Sequence, residues 1–249
     1  MPIPKPDHLA PAYMKRVILV SALLLLTASS LATRAPDKAV PSRVEVKYRV
    51  SIAGIPIGEG TDVLQHDGKT YSVVSQSYTI GLAAIYRMNI RREAKGNVTA
   101  DGLRPVSFVE TRNGKFKRSA SFDWAAGQVE LIDGDKKQTV QLPPNTWDAA
   151  SFAWNFAFSR SESKELQVYV TDGRRVTEYK YTILGREKLS TPVGELETVH
   201  VKKIQEEGDK RAFDVWLAID QHFLPARVRA TEKDGTAFDS MVESVNLAP

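Results

Sequence analysis

The chain has 249 residues, of which 42% are hydrophobic and 26% charged, with a formal net charge of +4 and no cysteine. The missing cysteine excludes disulfides, thiolate zinc sites, cysteine nucleophiles and a lipid-modified N-terminal cysteine. The first 35 residues hold four of the 34 basic and one of the 30 acidic residues, so the remainder is nearly neutral and lacks the broad basic footprint of a nucleic-acid-binding surface.

Residues 14–35 have the pattern of a secretory signal peptide. Lys15 and Arg16 precede an apolar run over 17–26, and small residues follow, with possible cleavage after residue 32 or 35. The apolar run is too short to span a bilayer core of ~30 Å comfortably as a helix. We therefore expect a cleaved signal and a periplasmic protein with no transmembrane span after cleavage; the alternative is an uncleaved N-terminal anchor.

The sequence predicts a single β-rich domain over residues 43–249. Residues 1–35 are expected to be a disordered extension followed by the signal peptide, and the first thirteen residues to be an over-extended start before Met14. Residues 36–42 are expected to be a linker.

Residues 43–50 alternate strictly between apolar and charged side chains, which is typical of a half-buried strand. Val44, Val46, Tyr48 and Val50 share the apolar face. Further strands are predicted at 59–65, 70–77, 93–100, 104–112, 115–123, 127–132, 137–141, 166–171, 174–185, 195–206, 210–219, 223–233 and 236–246.

Five Asx-Gly pairs separate these strands and are suited to the positive φ of tight hairpin turns. They are Asp67-Gly68, Asn113-Gly114, Asp133-Gly134, Asp172-Gly173 and Asp234-Gly235. Short strands with repeated turns predict an all-β, mainly antiparallel fold. We expect a curved sheet or half-barrel, or a sandwich, with one or two short helices covering the concave face.

Two segments break the strand pattern. Residues 78–91 are apolar without alternation. Residues 145–159 follow two prolines and are predicted to form a helix capped by Asn145 or Thr146, with Asp148 in its first turn. This helix is expected to lie across the sheet.

A weak internal repeat suggests two related β modules, 43–141 and 166–249, joined by the helix at 145–159. GIPIGEG resembles TPVGELET, and GLRPVSF resembles HFLPARV. Chance similarity between short hairpins is the alternative explanation.

Several segments, in this order and spacing, resemble the bacterial domain of unknown function 3108 family over about residues 42–246. They are GIPIGEG, GLRPVSF, ASFDW, LPPNTWDAASFAWNFAF, VTDGRRVTEYKY, TPVGELET and DVWLAIDQHFLPARVR. The resemblance implies an exported protein with a curved antiparallel sheet and no assigned activity. Its topology is expected to be similar to the half-barrel of lipoprotein carriers (LolA/LolB-like), an analogy of fold that does not establish function.

No catalytic or metal motif is found, and we expect a non-enzymatic protein without a cofactor. His66, His200 and His222 lack the spacing of a helical metal site, and no GxSxG elbow occurs. A hydrolase site assembled in space is a third hypothesis, since triad members need not be adjacent in sequence.

The candidate ligand-binding residues come from the two irregular segments. A curved sheet with a helix lid can enclose an apolar cavity, and Arg87, Arg91 and Arg92 could pair with an anionic head group. The alternative is that the aromatic and aliphatic side chains simply fill the concave face. The apolar candidates are Ile80, Leu82, Ile85, Tyr86, Met88, Trp147, Phe152, Trp154 and Phe156.

The sequence therefore favours a periplasmic, non-catalytic binding or carrier protein for a lipid, lipoprotein or other apolar envelope component. The alternative is an assembly factor that binds an envelope protein or a polysaccharide machine. An enclosed cavity would favour the first, and an exposed patch of several hundred Å² the second. The basic run Arg112–Arg118 is interpreted as a solvated hairpin or as a contact for an anionic ligand or membrane surface.

Overall fold

A computed structural model describes residues 40–159 and 163–248. The predicted signal peptide and the extension before it lie outside the described residues. The described strands are β1 (Arg43–Ile52), β2 (Ile55–His66), β3 (Thr70–Thr79), β4 (Asn89–Thr99), β5 (Gly102–Arg112), β6 (Lys115–Asp123), β7 (Gln128–Asp133), β8 (Lys136–Gln141), β9 (Thr146–Asp148), β10 (Glu165–Thr171), β11 (Val176–Thr191), β12 (Gly194–Lys203), β13 (Ala212–Ala218), β14 (Leu224–Thr231) and β15 (Ala237–Ala248). The helices are α1 (Phe152–Phe158) and the 3₁₀ helices Gly81–Tyr86 and Ile219–Gln221.

All of these strands belong to one sheet, in the order β8-β7-β6-β5-β4-β3-β2-β1-β15-β14-β13-β12-β11-β10-β9. Neighbouring strands are antiparallel except β9 and β10, which are parallel. The sheet is not closed into a barrel, and α1 lies against β5 and β14. The predicted all-β, mainly antiparallel sheet with a short helix is confirmed. The strands that the structure describes form one continuous sheet and not the two separate sheets of a sandwich.

The two ends of the sheet approach each other through side chains and loops rather than through a strand ladder. β9 packs against β5. At the β10–β11 turn, Asp172 accepts a hydrogen bond of 2.7 Å from Arg118 of β6, and the Gln138 amide of β8 donates to the Arg174 carbonyl at 2.8 Å. The sheet therefore curves around an interior without completing its circumference.

Alternation of apolar and charged residues places one face of each strand in that interior. On β1, Val44 and Val46 are fully buried and Tyr48 nearly so, as the sequence pattern predicts. These side chains join Leu64, Val73, Phe108, Leu131 and Trp154 in the larger core cluster. Apolar side chains thus fill one end of the interior, which we name the closed end.

The hairpin turns follow the predicted chemistry. Gly68, Gly114, Gly134, Gly173 and Gly235 all have positive φ, between 59° and 88°. Because only glycine adopts this region without steric cost, each Asx-Gly pair fixes the register of the strands that flank it.

The predicted helix over 145–159 is shorter than expected and begins later. Residues Thr146–Asp148 pair in parallel with β10, which takes up the backbone groups that a helix would have used. Asn145 has a φ of 57°, which is incompatible with a helix continuing through it. Asp148 then accepts hydrogen bonds from the backbone N–H groups of Ala150 and Ser151 and turns the chain into α1.

The structure of residues 78–91 also differs from the single irregular segment that the sequence predicts. β3 extends to Thr79 and β4 begins at Asn89, so only a 3₁₀ turn and its flanks interrupt the ladder. Arg87 ends this turn with a φ of 45°. The segment lies at the end of the sheet opposite the closed end.

Candidate functional site

A half-open cavity of about 570 Å³ occupies the concave side of the sheet beyond the closed end. It is lined by the second half of β1 and β3, the middle of β2, the first half of β4, the end of β10 and the corresponding ends of β11 to β15. Helix α1 separates the cavity from the packed core, because Phe152 and Ala153 line it while Trp154 is fully buried. We name this half of the interior the open end.

One wall of the cavity is apolar and aromatic. The Phe152 ring lies 5.3 Å from the rings of both Tyr181 and Phe213, measured between centroids. Aliphatic and aromatic side chains of β14 and β15 continue this wall: Val228, Ala230 and Phe238. Such a surface gains free energy by covering apolar ligand atoms.

The opposite wall is polar. Asp62, Ser75, Ser77 and Arg92 project from β2, β3 and β4 into the cavity. Burial raises the pKa of Asp62 to about 6, against the opposing effects of the Ser75 hydroxyl, Arg92 and the Trp154 indole. Asp62 is surrounded by protein on most sides but is only half-buried, because the cavity leaves its carboxyl open to water.

A buried carboxylate behind this wall anchors a group of arginines. Glu110 is 1% exposed and accepts hydrogen bonds of 2.8 Å from both Arg92 and Arg112, with Arg118 at 3.5 Å. Burial acts to raise the pKa of Glu110, but these guanidinium groups hold it below the usual value. Arg92 is thereby fixed with part of its charge facing the cavity.

A small polar cluster lies beside the start of α1. Asp148 hydrogen-bonds the Ser151 hydroxyl, and Tyr71 donates to the same hydroxyl at 3.4 Å. Burial raises the pKa of Asp148. Asp148 and Ser151 are fully buried, so this cluster stabilises the turn into α1 rather than meeting a substrate.

Of the predicted ligand-binding aromatics, the structure places only Phe152 on the cavity wall. Trp147 and Phe156 pack behind Phe152 in a second core cluster. Trp154 belongs to the closed end. The two irregular segments therefore do not come together as one binding surface.

The apolar residues of the other segment face solvent. Leu82 is 97% exposed, Ile85 81% and Tyr86 77%, and Met88 is also exposed while Ile80 is half-buried. None of them is among the cavity-lining residues within the described ranges.

The candidate arginines are also divided between surfaces. Arg87 is exposed at the end of the 3₁₀ turn, and Arg91 pairs with Glu93 at 2.7 Å on the outer face. Arg92 alone among the three reaches the cavity.

Most of the cavity comes from residues on regular strands that sequence reasoning missed. The signal that could have found them is a change along the inward face of the strands. On β2 and β3 this face passes from Leu64 and Val73 to Asp62 and Ser75 at the open end. The missed lining residues are Tyr48, Val50, Gly60, Asp62, Ser75, Ser77, Tyr179, Tyr181, Phe213, Val228, Ala230 and Phe238.

His66 and His200 do not contact a serine or another nucleophile in the hydrogen bonds, ion pairs and ring contacts described. His200 lies on the outer face, stacked on Trp216 with ring centroids 4.2 Å apart. Its Nε2 is 2.8 Å from Asp214 and its Nδ1 is 3.6 Å from Glu187, and neither carboxylate lines the cavity. Within residues 40–159 and 163–248, no group of three acidic or histidine side chains is arranged to hold a metal ion.

The chain is similar to a β-barrel-like protein of the domain of unknown function DUF1849 from Brucella abortus, with a TM-score of 0.56 and 8% identity, over 85% of this chain and 100% of that one. A candidate lipoprotein from Parabacteroides distasonis aligns with 13% identity over 85% of this chain and 97% of that one, but its TM-score of 0.35 supports no argument.

A comparison with curated proteins gives no match. The family described as a protein of unknown function, DUF3108, matches residues 47–242, which is most of the chain. The resemblance inferred from the sequence is therefore confirmed, and the chain belongs to the DUF3108 family.

Proposed function

We propose that the protein is exported to the periplasm and binds a lipid or another apolar envelope molecule in its concave cavity. The observation that carries this proposal is the half-open cavity of about 570 Å³, which has an aromatic wall facing a polar one. Ligand sites commonly have volumes of roughly 300–1,000 Å³ and combine an apolar lining with a few polar groups that orient the ligand.

The distribution of side chains favours an amphipathic ligand. An apolar portion would cover the partly exposed rings of Phe213 and Phe238, and would touch the small exposed parts of Phe152 and Tyr181. Polar atoms of the ligand would face Asp62, Ser75 and Arg92, which need hydrogen-bond partners when water is displaced. Each Å² of apolar ligand surface covered contributes about 25 cal/mol.

The cellular location rests on the sequence of residues 14–35, which resembles a secretory signal. Across the part of the chain that the structure describes, no helix is both long and apolar enough to cross a bilayer. A carrier that shuttles molecules between envelope surfaces would be consistent with both observations.

Gly60 provides a direct test, because it lines the cavity and has no side chain. A Cβ atom at Gly60 would meet its nearest neighbours, Gln76 O and Tyr48 Cβ, at 3.8 Å, which is ordinary contact. Gly60→Leu is therefore expected to place a side chain in the cavity without a clash at Cβ. Thr61→Leu adds a similar apolar group on the opposite face of the same strand and is the matched control.

The protein would be purified from its native envelope without detergent, extracted, and analysed by mass spectrometry for bound lipid. We expect co-purifying lipid, and binding of an apolar fluorescent dye, in the parent and in Thr61→Leu, with a tenfold or greater loss in Gly60→Leu. No extracted lipid and no dye binding by the parent would contradict the proposal. Equal binding by both variants would place the ligand outside this cavity.

A further inference from the structure

Three neighbouring segments form one continuous surface at the open end of the sheet. They are residues 51–58, 78–92 and 111–119, which we name the rim surface. The Ile80 N–H donates to the Ile57 carbonyl at 2.9 Å, joining the first two segments. The Asn113 N–H donates to the Asn89 carbonyl at 2.7 Å, and the Asn113 side chain accepts from the Asn89 N–H at 2.8 Å, joining the second and third.

The rim surface exposes an unusual concentration of large apolar side chains. Leu82 and Ile85 project from the 3₁₀ turn almost fully exposed, beside Tyr86. Ile55 on the first segment and Phe116 on the third are 65% and 50% exposed. Single exposed apolar residues are normal on a protein surface, but a contiguous group marks a contact site.

The charged residues within these three segments are all basic, although five of them pair with carboxylates outside the segments. The three segments contain seven arginines and lysines and no aspartate or glutamate. Several of these cations pair with carboxylates from adjoining strand residues, as Arg92 does with Glu110. Arg87 and Lys115 are exposed and form no ion pair with the residues that the structure describes.

Two other loops at the open end, between β12 and β13 and between β14 and β15, differ. Residues 205–211 contain three acidic and two basic residues, and residues 232–236 two acidic and one basic, so each loop has a net charge of −1. An anionic surface would therefore be attracted to the rim surface more strongly than to these two loops. The charge difference thus favours an approach through the rim surface.

We infer that the rim surface docks on the surface of an anionic lipid bilayer. Apolar side chains on a projecting turn can enter the boundary between head groups and acyl chains, while nearby cations meet lipid phosphates. A protein partner would need about 800 Å² of complementary, well-packed surface. A short turn that carries three apolar side chains among cations fits a lipid interface better.

This contact would direct the open end of the cavity toward the bilayer, since Val50 and Ser77 of the cavity wall adjoin the rim segments in sequence. The inference does not require the cavity to hold a ligand. Docking and cavity binding can therefore fail separately.

The absence of native cysteine allows a single probe to report on the contact. Leu82→Cys would be labelled with an environment-sensitive fluorophore, in protein purified from cells that express the full chain. Vesicles of phosphatidylcholine, with and without phosphatidylglycerol, would then be added. We expect a blue shift with the anionic vesicles that decreases as salt is raised. Leu184→Cys, which is exposed on β11 in the other half, is the matched control and should not shift.

Vesicle co-sedimentation of unlabelled variants measures how much each side chain contributes to the affinity for the vesicles. Leu82→Ser/Ile85→Ser is expected to bind at least tenfold more weakly, and Arg87→Gln and Lys115→Gln about fivefold more weakly each. Leu184→Ser should bind as the parent does. Gly60→Leu should also retain vesicle binding, so loss of ligand in that variant tests only the cavity.

The inference would be overturned if the Leu82 label did not shift with anionic vesicles, or shifted equally at Leu184. Vesicle binding that survived both the apolar and the charge substitutions would also overturn it. A shift produced by a purified envelope protein but not by vesicles would assign the rim surface to a protein partner instead.

Discussion

The closed and open ends of the interior are built from the same strands, yet they have opposite properties. β1 contributes Val44 and Val46 to the packed core and Val50 to the cavity, a few residues further along. β2 passes from buried Leu64 to Asp62 and Gly60. The difference shows that the same strands can form a packed core at one end of a sheet and a water-accessible cavity at the other.

The closed end is expected to carry most of the stability, and Trp154 is its sharpest test. Trp154→Ala removes the largest fully buried side chain and should lower the free energy of unfolding by about 3–5 kcal/mol. Val50→Ala at the open end should cost only about 1 kcal/mol, since it removes few buried groups. Urea denaturation of both variants measures the contrast. Similar decreases in the free energy of unfolding for the two variants would show that both ends contribute equally to stability.

Glu110 is the exception at the boundary, because its carboxylate is buried among arginines. Glu110→Gln should lower the free energy of unfolding by about 2 kcal/mol, since the charge-assisted hydrogen bonds weaken. Glu130→Gln removes an exposed pair with Lys137 and should cost less than about 0.5 kcal/mol. Chemical denaturation at neutral pH compares them. If Glu110→Gln is as mild as its control, the arginines do not depend on that charge.

Substitution of Asp62 should change the free energy of unfolding in the opposite direction, since burying this carboxyl at the open end destabilises the fold. Its pKa is about 6 in the folded chain against about 3.9 when unfolded, so ionisation of Asp62 favours the unfolded chain. The cost is absent below pH 4 and grows as pH rises through 6. Asp62→Asn should therefore raise the free energy of unfolding by about 2 kcal/mol at pH 7.5 and change it little at pH 4.

Denaturation of the parent and Asp62→Asn across pH 4 to 7.5 tests this prediction. Asp135→Asn, in an exposed hairpin turn, is the control and should give no such difference. Destabilisation by Asp62→Asn at pH 7.5 would mean that the carboxylate makes a favourable native interaction with Arg92 that outweighs its burial.

Local sequence signals predicted most of the sheet because they act over short distances. The alternation in residues 43–50 and the positive φ of Gly68 and Gly114 depend only on neighbours along the chain. The start of α1 could not be found in this way. Thr146–Asp148 becomes a strand because β10, about twenty residues later, supplies its backbone partners.

The cavity was also beyond those signals, since its walls come from strands far apart in the chain. An apolar segment such as 80–88 looks like a binding surface when only composition is considered. In the structure this segment is largely exposed, and the cavity is lined instead by small residues on regular strands, such as Gly60 and Ser77. Which inward positions meet an empty space depends on how the whole sheet curves.

The incomplete circumference of the sheet has a mechanical consequence. In a closed barrel, the number and stagger of hydrogen-bonded strands fix the bore. Here the two ends of the sheet are joined by side-chain contacts, which include the Arg118–Asp172 pair and the Gln138–Arg174 hydrogen bond. Widening the bore would therefore break side-chain contacts of this kind and leave the strand ladders intact.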